Sequence, residues 1–145
     1  MAYRQKAHPM RVVFCFSGKT FKGPIAALVD DYRERIAKYA PVEIIESKTP
    51  KRQTRDGAHI VLAPHGKALD SIALADFLSL HMARGTKHLF FYTGAPTGYD
   101  AGLEDKADLV LSMSAMTFNH QIVRIMLLEQ IYRAFTIIHK EPYHK

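Results

Sequence analysis

Residues 111–120 read LSMSAMTFNH and run directly into residues 121–140, QIVRIMLLEQIYRAFTIIHK. The first segment contains a loop with Ser, Ala and Thr, whose small side chains leave room for a ligand beside the backbone. The second has apolar side chains around nearly its whole circumference, and a helix of that kind is normally buried. We therefore interpret the loop as a site and the helix as an interface, formed either with a second subunit in a symmetric dimer or within the interior of a monomer.

Upstream of this stretch, short apolar runs have the length and composition of buried strands. Five strands are predicted, at residues 11–17, 42–46, 59–63, 87–92 and 108–112. Ligands of open α/β sheets bind beyond the carboxyl ends of the strands. The loops at residues 64–67, 93–98 and 113–119 are therefore the candidate binding loops.

Helices are predicted between these strands. One begins at Pro24, whose fixed φ suits the first helical position, and ends before Pro41. A second spans residues 70–84, with Asp70 or Ser71 as its cap and Gly85 at its end, and a short third helix spans residues 101–107. Strands alternating with helices imply βαβ units, so we expect an α/β domain with a mostly parallel five-stranded sheet and helices on both faces.

Length and composition fit one globular domain. The chain has 145 residues, of which 48% are hydrophobic, and we expect a single domain over residues 10–145 after a flexible extension at residues 1–9. The formal net charge of +6 favours polyanionic partners without proving them. No apolar stretch approaches the roughly 20 residues that span a bilayer, so we expect a cytoplasmic protein with no membrane partner.

Cysteine and histidine give little support for metal or redox chemistry. Cys15 is the single cysteine, so an intramolecular disulfide or a cysteine-based metal cluster is impossible, and an inert thiol in the core is expected. The eight histidines form no HExxH-type pair. We expect no metal site.

The C-terminal region resembles the RlmH family of small, single-domain SPOUT methyltransferases. The resemblance rests on residues 111–124, on EQIYRA at 129–134 and on PYH at 142–144. Upstream, GAPTG at 94–98 is similar to the family's Gly-Gly-Pro-Glu-Gly loop, and residues 61–67 fall where the family has a Leu-Asp…Gly-Lys strand end. The resemblance to this family implies a SPOUT-type α/β knot with a C-terminal trefoil knot. It also implies a homodimer formed through the last helix.

The resemblance also implies an activity. Family members use S-adenosylmethionine to methylate N3 of a pseudouridine in large-subunit (23S) ribosomal RNA, so the expected partners are ribosomal RNA and the large ribosomal subunit or the 70S ribosome. Cofactor contacts in the family come from the end of the third strand, the first glycine of the Gly-rich loop and the Leu-Ser-x-x-Thr loop. The matching positions here are Leu62, Gly94, Met113, Ser114, Ala115, Met116, Thr117 and Phe118. By itself, the 94–98 loop would be read as a plain turn after a strand.

Candidate catalytic residues follow the small-residue loop. His120 and Arg124 are spaced i,i+4, which predicts that both project from one helix face near the loop. Histidine can act as an acid or base near neutral pH and arginine can hold a phosphate, although a plain helix-start histidine and a solvated arginine would have the same spacing. For Tyr143, with His144, the resemblance implies closure over the partner subunit's site, as family tails do; otherwise they form a frayed end.

The sequence departs from the family pattern in two places. Ala95 and Thr97 stand where the family has Gly and Glu. Between Ser47 and His59, family members usually carry a further Lys/Glu-rich helix, and this chain has only a basic loop. That loop either follows a phosphate backbone or is a solvated run of charge, and its cations are Lys48, Lys51, Arg52 and Arg55, with Lys19 and Lys22 adding to the basic surface.

Three functions remain open on the sequence alone. The first is methylation of pseudouridine in ribosomal RNA, and the second is a catalytically silent dimeric relative that binds RNA or ribosomes. The third is a SPOUT methyltransferase acting on another RNA. Binding of S-adenosylmethionine separates the first from the second, and an assay on ribosomes against free tRNA separates the first from the third.

Overall fold

The computed structural model describes residues 9–94 and 102–145. Within these residues, strands and helices follow one another in the predicted order except at 102–106, and their bounds agree closely with the predicted ones except for β3. In chain order they are β1 (Arg11–Ser17), α1 (Pro24–Ala37), β2 (Val42–Ser47), β3 (Ala58–Ala68), α2 (Ser71–Arg84), β4 (His88–Tyr92), β5 (Leu109–Ser112) and α3 (His120–Ile138).

The five strands form one sheet in the order β2-β1-β4-β3-β5. Each neighbouring pair is parallel, which confirms the predicted α/β class. Because the strands are parallel, the carboxyl ends of β3, β4 and β5 lie side by side at one edge. The three candidate binding loops all begin at this edge.

Local signals define the helix ends. Asp70 caps α2, where its Oδ1 accepts a hydrogen bond of 2.8 Å from the Ala73 amide. Gly85 ends α2 in the left-handed conformation at φ 75°. Asn119 caps α3 through a 2.8 Å hydrogen bond from the Gln121 amide to its Oδ1. The small-residue loop therefore passes into α3 through a fixed turn.

The strand β3 is longer than predicted and irregular in its middle. It pairs with β5 through Leu62, opposite Leu111, and pairs again through Lys67, opposite the same residue. Residues 63–66 therefore form a bulge. Gly66 permits it, because a Cβ at this position would lie 2.6 Å from the carbonyl oxygen of Val110.

One face of the sheet carries the main core. The three described helices pack on this face, with α3 against both α1 and α2. Their buried side chains include Ile36, Leu78 and Leu128. The sheet contributes Val12, Phe14, Phe16, Ile60, Leu62, Leu89, Phe91 and Leu111.

Among the described residues, no helix covers the second face of the sheet. This differs from the prediction of helices on both faces. The basic loop lies over this face. Arg55 stacks over the Phe90 ring at 5.5 Å and pairs with Glu43 at 2.9 Å, and the Gln53 amide donates a hydrogen bond of 3.0 Å to the Tyr92 hydroxyl. The loop thus takes the place of a covering helix.

Residues 102–106 form turns, so the short helix predicted at 101–107 is wrong over its described part; Ala101 lies outside the described residues. Gly102 has φ 85°, a left-handed conformation that does not continue into a right-handed helix. Leu103 from this segment is buried against the second face of the sheet. The predicted extension at residues 1–9 also falls outside the description, except for Pro9.

Candidate active site

A cavity of about 660 Å³ opens at the carboxyl ends of β3, β4 and β5. Seven of the eight predicted cofactor-binding residues line it, and Ala115 does not. The seven are Leu62, Gly94, Met113, Ser114, Met116, Thr117 and Phe118. Residues 95–98 of the predicted Gly-rich loop lie outside the described residues, including Ala95 and Thr97.

The small-residue loop is held by hydrogen bonds from backbone amides to its own side chains. The Met116 amide donates a hydrogen bond of 3.0 Å to the Ser114 hydroxyl, and Asn119 closes the loop as the cap of α3. Met116 is 71% exposed and Phe118 is also exposed. The loop therefore presents two large apolar side chains at the cavity, which suits contact with a ligand or a second subunit.

Other lining residues were not predicted individually. His65 comes from the bulge of β3, Thr93 follows β4, and Glu104 and Asp105 belong to the turn segment before β5. The loops at 64–67 and 93–98 indicated the first two. No signal indicated the two carboxylates, because a helix was expected there.

The charge of the cavity is opposite in sign to that of the whole chain. Its described lining contains the carboxylates of Glu104 and Asp105 but no lysine or arginine. His65 Nε2 contacts Glu104 Oε1, which joins the β3 bulge to the turn segment. In a chain of formal charge +6, this lining favours a cationic ligand group over a phosphate.

Two polar atoms of lining residues remain unpaired. The Thr93 hydroxyl and His120 Nδ1 are buried and have no hydrogen-bond partner within the described part of the chain. Both residues line the cavity. Buried polar groups in folded proteins are nearly always hydrogen-bonded, so these two atoms are suited to receive polar groups of a ligand.

His120 lies where it was predicted, at the start of α3 and on the cavity wall. The Phe21 ring, from the β1–α1 connection, meets the imidazole edge-on at 6.2 Å between centroids. His120 therefore borders both the cavity and the β1–α1 connection.

Arg124 lies elsewhere, with a fully buried side chain outside the cavity lining. Its Nη1 donates to the Gly18 carbonyl at 3.1 Å and to the Thr20 hydroxyl at 3.0 Å, and its Nη2 donates to the Ser17 carbonyl. Burial lowers the pKa of the guanidinium, and the Glu46 carboxylate at 3.6 Å opposes that change. These contacts support a role in holding the β1–α1 connection, and a direct catalytic role stays a prediction.

Tyr143 lies against its own α3 and does not line the cavity. Its hydroxyl donates a hydrogen bond of 2.7 Å to Glu129, and burial together with this bond raises its pKa. Arg133 pairs with Glu129 at 2.7 Å and lies 3.1 Å from His144 Nδ1. The C-terminal tail is thus fixed by contacts rather than frayed.

Residues 10–144 match the family described as "Predicted SPOUT methyltransferase". Together with the parallel sheet and its edge cavity, the match places the chain in a defined class: it belongs to the SPOUT methyltransferase family. Its relatives include "Ribosomal RNA large subunit methyltransferase H" of Coprothermobacter proteolyticus, 38% identical over 139 residues and covering 94% of this chain and 100% of the relative. The protein of the same description from Trichlorobacter lovleyi is 39% identical over 152 residues, covering 93% and 99%.

The fold has a counterpart among solved structures. A "probable methylase family protein" from Haemophilus influenzae Rd KW20 superposes with a TM-score of 0.60 at 10% identity, covering 94% of this chain and 69% of that one. This likeness concerns the fold alone. Within the described residues, no helix is long and apolar enough to cross a membrane, and no three His, Cys, Asp or Glu side chains form a metal-binding group.

Proposed function

We propose that this protein is an S-adenosylmethionine-dependent methyltransferase of large-subunit ribosomal RNA, acting on N3 of a pseudouridine. The observation that carries the proposal is the edge cavity, which gathers Leu62, Gly94 and the 113–118 loop around one space. Relatives described as ribosomal RNA large subunit methyltransferases match nearly the full chain. The ribosomal substrate implies a cytoplasmic location.

The cavity fits the cofactor in size and chemistry. Pockets for ligands of this class have volumes of roughly 300–1,000 Å³ and mostly apolar walls with a few polar groups. Here the wall offers Leu62, Met113 and Val123, with the Thr93 hydroxyl and His120 Nδ1 as unpaired polar atoms. Glu104 and Asp105 match the cationic groups of the cofactor. When bound, S-adenosylmethionine supplies an activated methyl group to a nucleophile held in line with it.

The protein's own contribution is orientation and proton handling. N3 of pseudouridine carries a proton that must leave as the methyl group arrives. Of the two histidines on the described cavity wall, His65 contacts Glu104, whereas His120 has its Nδ1 free of partners in the described residues. We assign to His120 Nδ1 the role of accepting that proton, because it is the unpaired ring nitrogen on the described cavity wall.

A homodimer is part of the proposal. Leu28 of α1, Ile72 of α2 and Ile122 of α3 are all exposed. A groove of about 540 Å³ lies among the same three helices. Covering this apolar surface with a second copy would remove it from water. Tyr143 would then act at the partner's site, and the C-terminal trefoil knot of the family would place the 113–119 loop beside the interface.

The test uses purified protein, ribosomes and labelled S-adenosylmethionine, with mass mapping of the modified nucleotide. We expect one methyl group on a pseudouridine of large-subunit RNA, and the His120→Gln variant should bind the cofactor but transfer the methyl group at least 100-fold more slowly. Cofactor binding without transfer to ribosomes, free large-subunit RNA or tRNA would overturn the enzyme assignment. Light scattering that shows a monomer at micromolar concentration would overturn the dimer.

A further inference from the structure

The connection between β1 and α1 presents an exposed aromatic ring between two cations. Phe21 is 58% exposed, and Lys19 and Lys22 beside it are also exposed. We refer to Lys19, Phe21 and Lys22 as the Phe21 surface. Phe21 is a large exposed ring with a lysine on either side of it in the sequence. Packing of the domain core does not explain this arrangement.

The backbone beneath the Phe21 surface is held by buried polar side chains. Gln121, only 2% exposed, accepts a hydrogen bond of 2.8 Å from the Phe21 amide and donates one of 3.0 Å to the Lys19 carbonyl. Arg124 holds the carbonyls of Ser17 and Gly18 from the same helix. The backbone of the connection is therefore fixed in place, while its three side chains are exposed and accessible to a partner.

A third contact holds the middle of the connection. Glu46 Oε2, at the end of β2, accepts hydrogen bonds of 2.8 Å from the Thr20 amide and 2.6 Å from the Thr20 hydroxyl. Thr20 lies between the two residues whose backbone Gln121 binds. Ordering a surface loop in this way reduces the entropy that a binding partner would otherwise have to remove.

The Phe21 surface borders the cavity. The Phe21 ring meets His120 edge-on at 6.2 Å, and His120 forms part of the cavity wall. A nucleotide whose base enters the cavity would therefore have its neighbour in the chain close to Phe21. Consecutive nucleotides of single-stranded RNA are spaced closely enough for both contacts at once.

The Phe21 surface and the cavity carry different charged groups, which complement each other in binding RNA. The described cavity wall has no lysine or arginine, so it offers no cation to the phosphates that flank a nucleotide in the cavity. Lys19 and Lys22 are cations outside it. Proteins that bind single-stranded RNA combine aromatic rings that stack on bases with basic side chains along the backbone.

We propose that the Phe21 surface holds the substrate RNA by stacking an unpaired base next to the target nucleotide on Phe21, with Lys19 and Lys22 on the adjacent phosphates. The inference rests on the proposed methylation of ribosomal RNA and adds to it the element that holds the strand. A second copy of the chain is the less favoured occupant, because an interface would desolvate the two exposed lysines, and Glu46, the acidic group near Lys19, is already bound to Thr20.

The experiment compares steady-state methylation of large-subunit RNA by the wild type with Phe21→Ala, Phe21→Trp and Lys19→Ala/Lys22→Ala. Losing one stacked base should raise KM for RNA about tenfold for Phe21→Ala, with kcat and the Kd for S-adenosylmethionine unchanged within twofold. Phe21→Trp should restore the wild-type KM. The double lysine variant should reduce the slope of log affinity against log salt by about 1.4, since each single-strand phosphate contact contributes about 0.7.

A matched control is Leu80→Ala, because Leu80 is a similarly exposed apolar residue, on α2. This variant should leave both KM and kcat at wild-type values. A fall in kcat at unchanged KM for Phe21→Ala would overturn the inference in favour of a role in positioning His120. Loss of the dimer in light scattering would overturn it in favour of a contact between copies, and an unchanged KM would overturn it outright. A wild type that methylates no RNA would overturn the proposed function instead.

Discussion

Replacing Arg124 by methionine tests how α3 is joined to the β1–α1 connection. The change keeps much of the side-chain length and removes the charge. It takes away the donors to Gly18, Thr20 and Ser17 and leaves the Glu46 carboxylate without its cation. Arg124 is fully buried, so water does not replace these contacts directly.

The expected cost follows from general values for such groups. Removing one member of a buried charged network costs about 3–5 kcal/mol, because the remaining partners stay desolvated and unpaired. The Thr20 hydroxyl keeps its bond to Glu46, which limits the loss to the lower part of that range. A domain of this size has a free energy of unfolding of about 5–15 kcal/mol, so the variant should fold but with much reduced stability.

The assay is equilibrium unfolding in urea, followed by circular dichroism. Arg33→Met is the control, because Arg33 is exposed on α1 and its replacement should cost no measurable stability. The free energy of unfolding of Arg124→Lys should lie between those of the wild type and Arg124→Met, since one ammonium group cannot replace the two guanidinium nitrogens. If Arg124→Met loses less than about 1 kcal/mol, the reasoning that assigns α3 and the β1–α1 connection to one buried network is wrong.

Four further predictions concern three residues of the sheet and the cavity. Gly66→Ala should destabilise the protein by about 1–3 kcal/mol and weaken cofactor binding in calorimetry, because the new Cβ would lie 2.6 Å from the Val110 carbonyl oxygen. Unchanged stability would mean that the backbone of the bulge can shift to accommodate the Cβ. Burial raises the pKa of the Cys15 thiol to about 12, so in the folded protein it should resist iodoacetamide at pH 8 and react only after unfolding. Because the unfolded thiol ionises first, the stability that Cys15 contributes should be lost as the pH rises from about 9 to 12, and Cys15→Ala should remove that dependence. Glu104→Gln should weaken binding of S-adenosylmethionine more than binding of S-adenosylhomocysteine, which lacks the sulfonium charge. Equal losses for both would mean that Glu104 does not pair with the sulfonium but acts on a part that the two compounds share.

Local patterns were sufficient for most of the fold. The run from Arg11 to Ser17 is apolar enough to form a central strand whatever its neighbours, and α2 carries its own cap and its own glycine end. The position of the 113–119 loop could also be predicted locally, since its small residues and the helix after it are contiguous, and most of this loop lines the cavity. For these elements, the residues that determine the secondary structure are close together in the sequence.

The features that were missed depend on contacts between distant parts of the chain or on a backbone conformation that the sequence leaves open. The loop over the second face is ordered by Arg55 on Phe90, which no periodicity within the loop reveals. Residues four apart on a helix differ by about 40° in direction, and this is enough to place His120 on the cavity wall and Arg124 beneath the β1–α1 connection. The turn at 102–106 follows from the left-handed backbone of Gly102, a conformation that the sequence permits but does not require.

The hydrogen bonds that hold the Phe21 surface have a consequence for the order in which the protein folds. They join residues 100 positions apart for Phe21 and Gln121, and 107 apart for Ser17 and Arg124. Such contacts have a high contact order, and the entropy of closing the intervening loop must be lost before they form. During synthesis, the first connection of the chain therefore cannot take its final conformation until α3 has left the ribosome. A chain that is released early would contain a nearly complete sheet but no organised site.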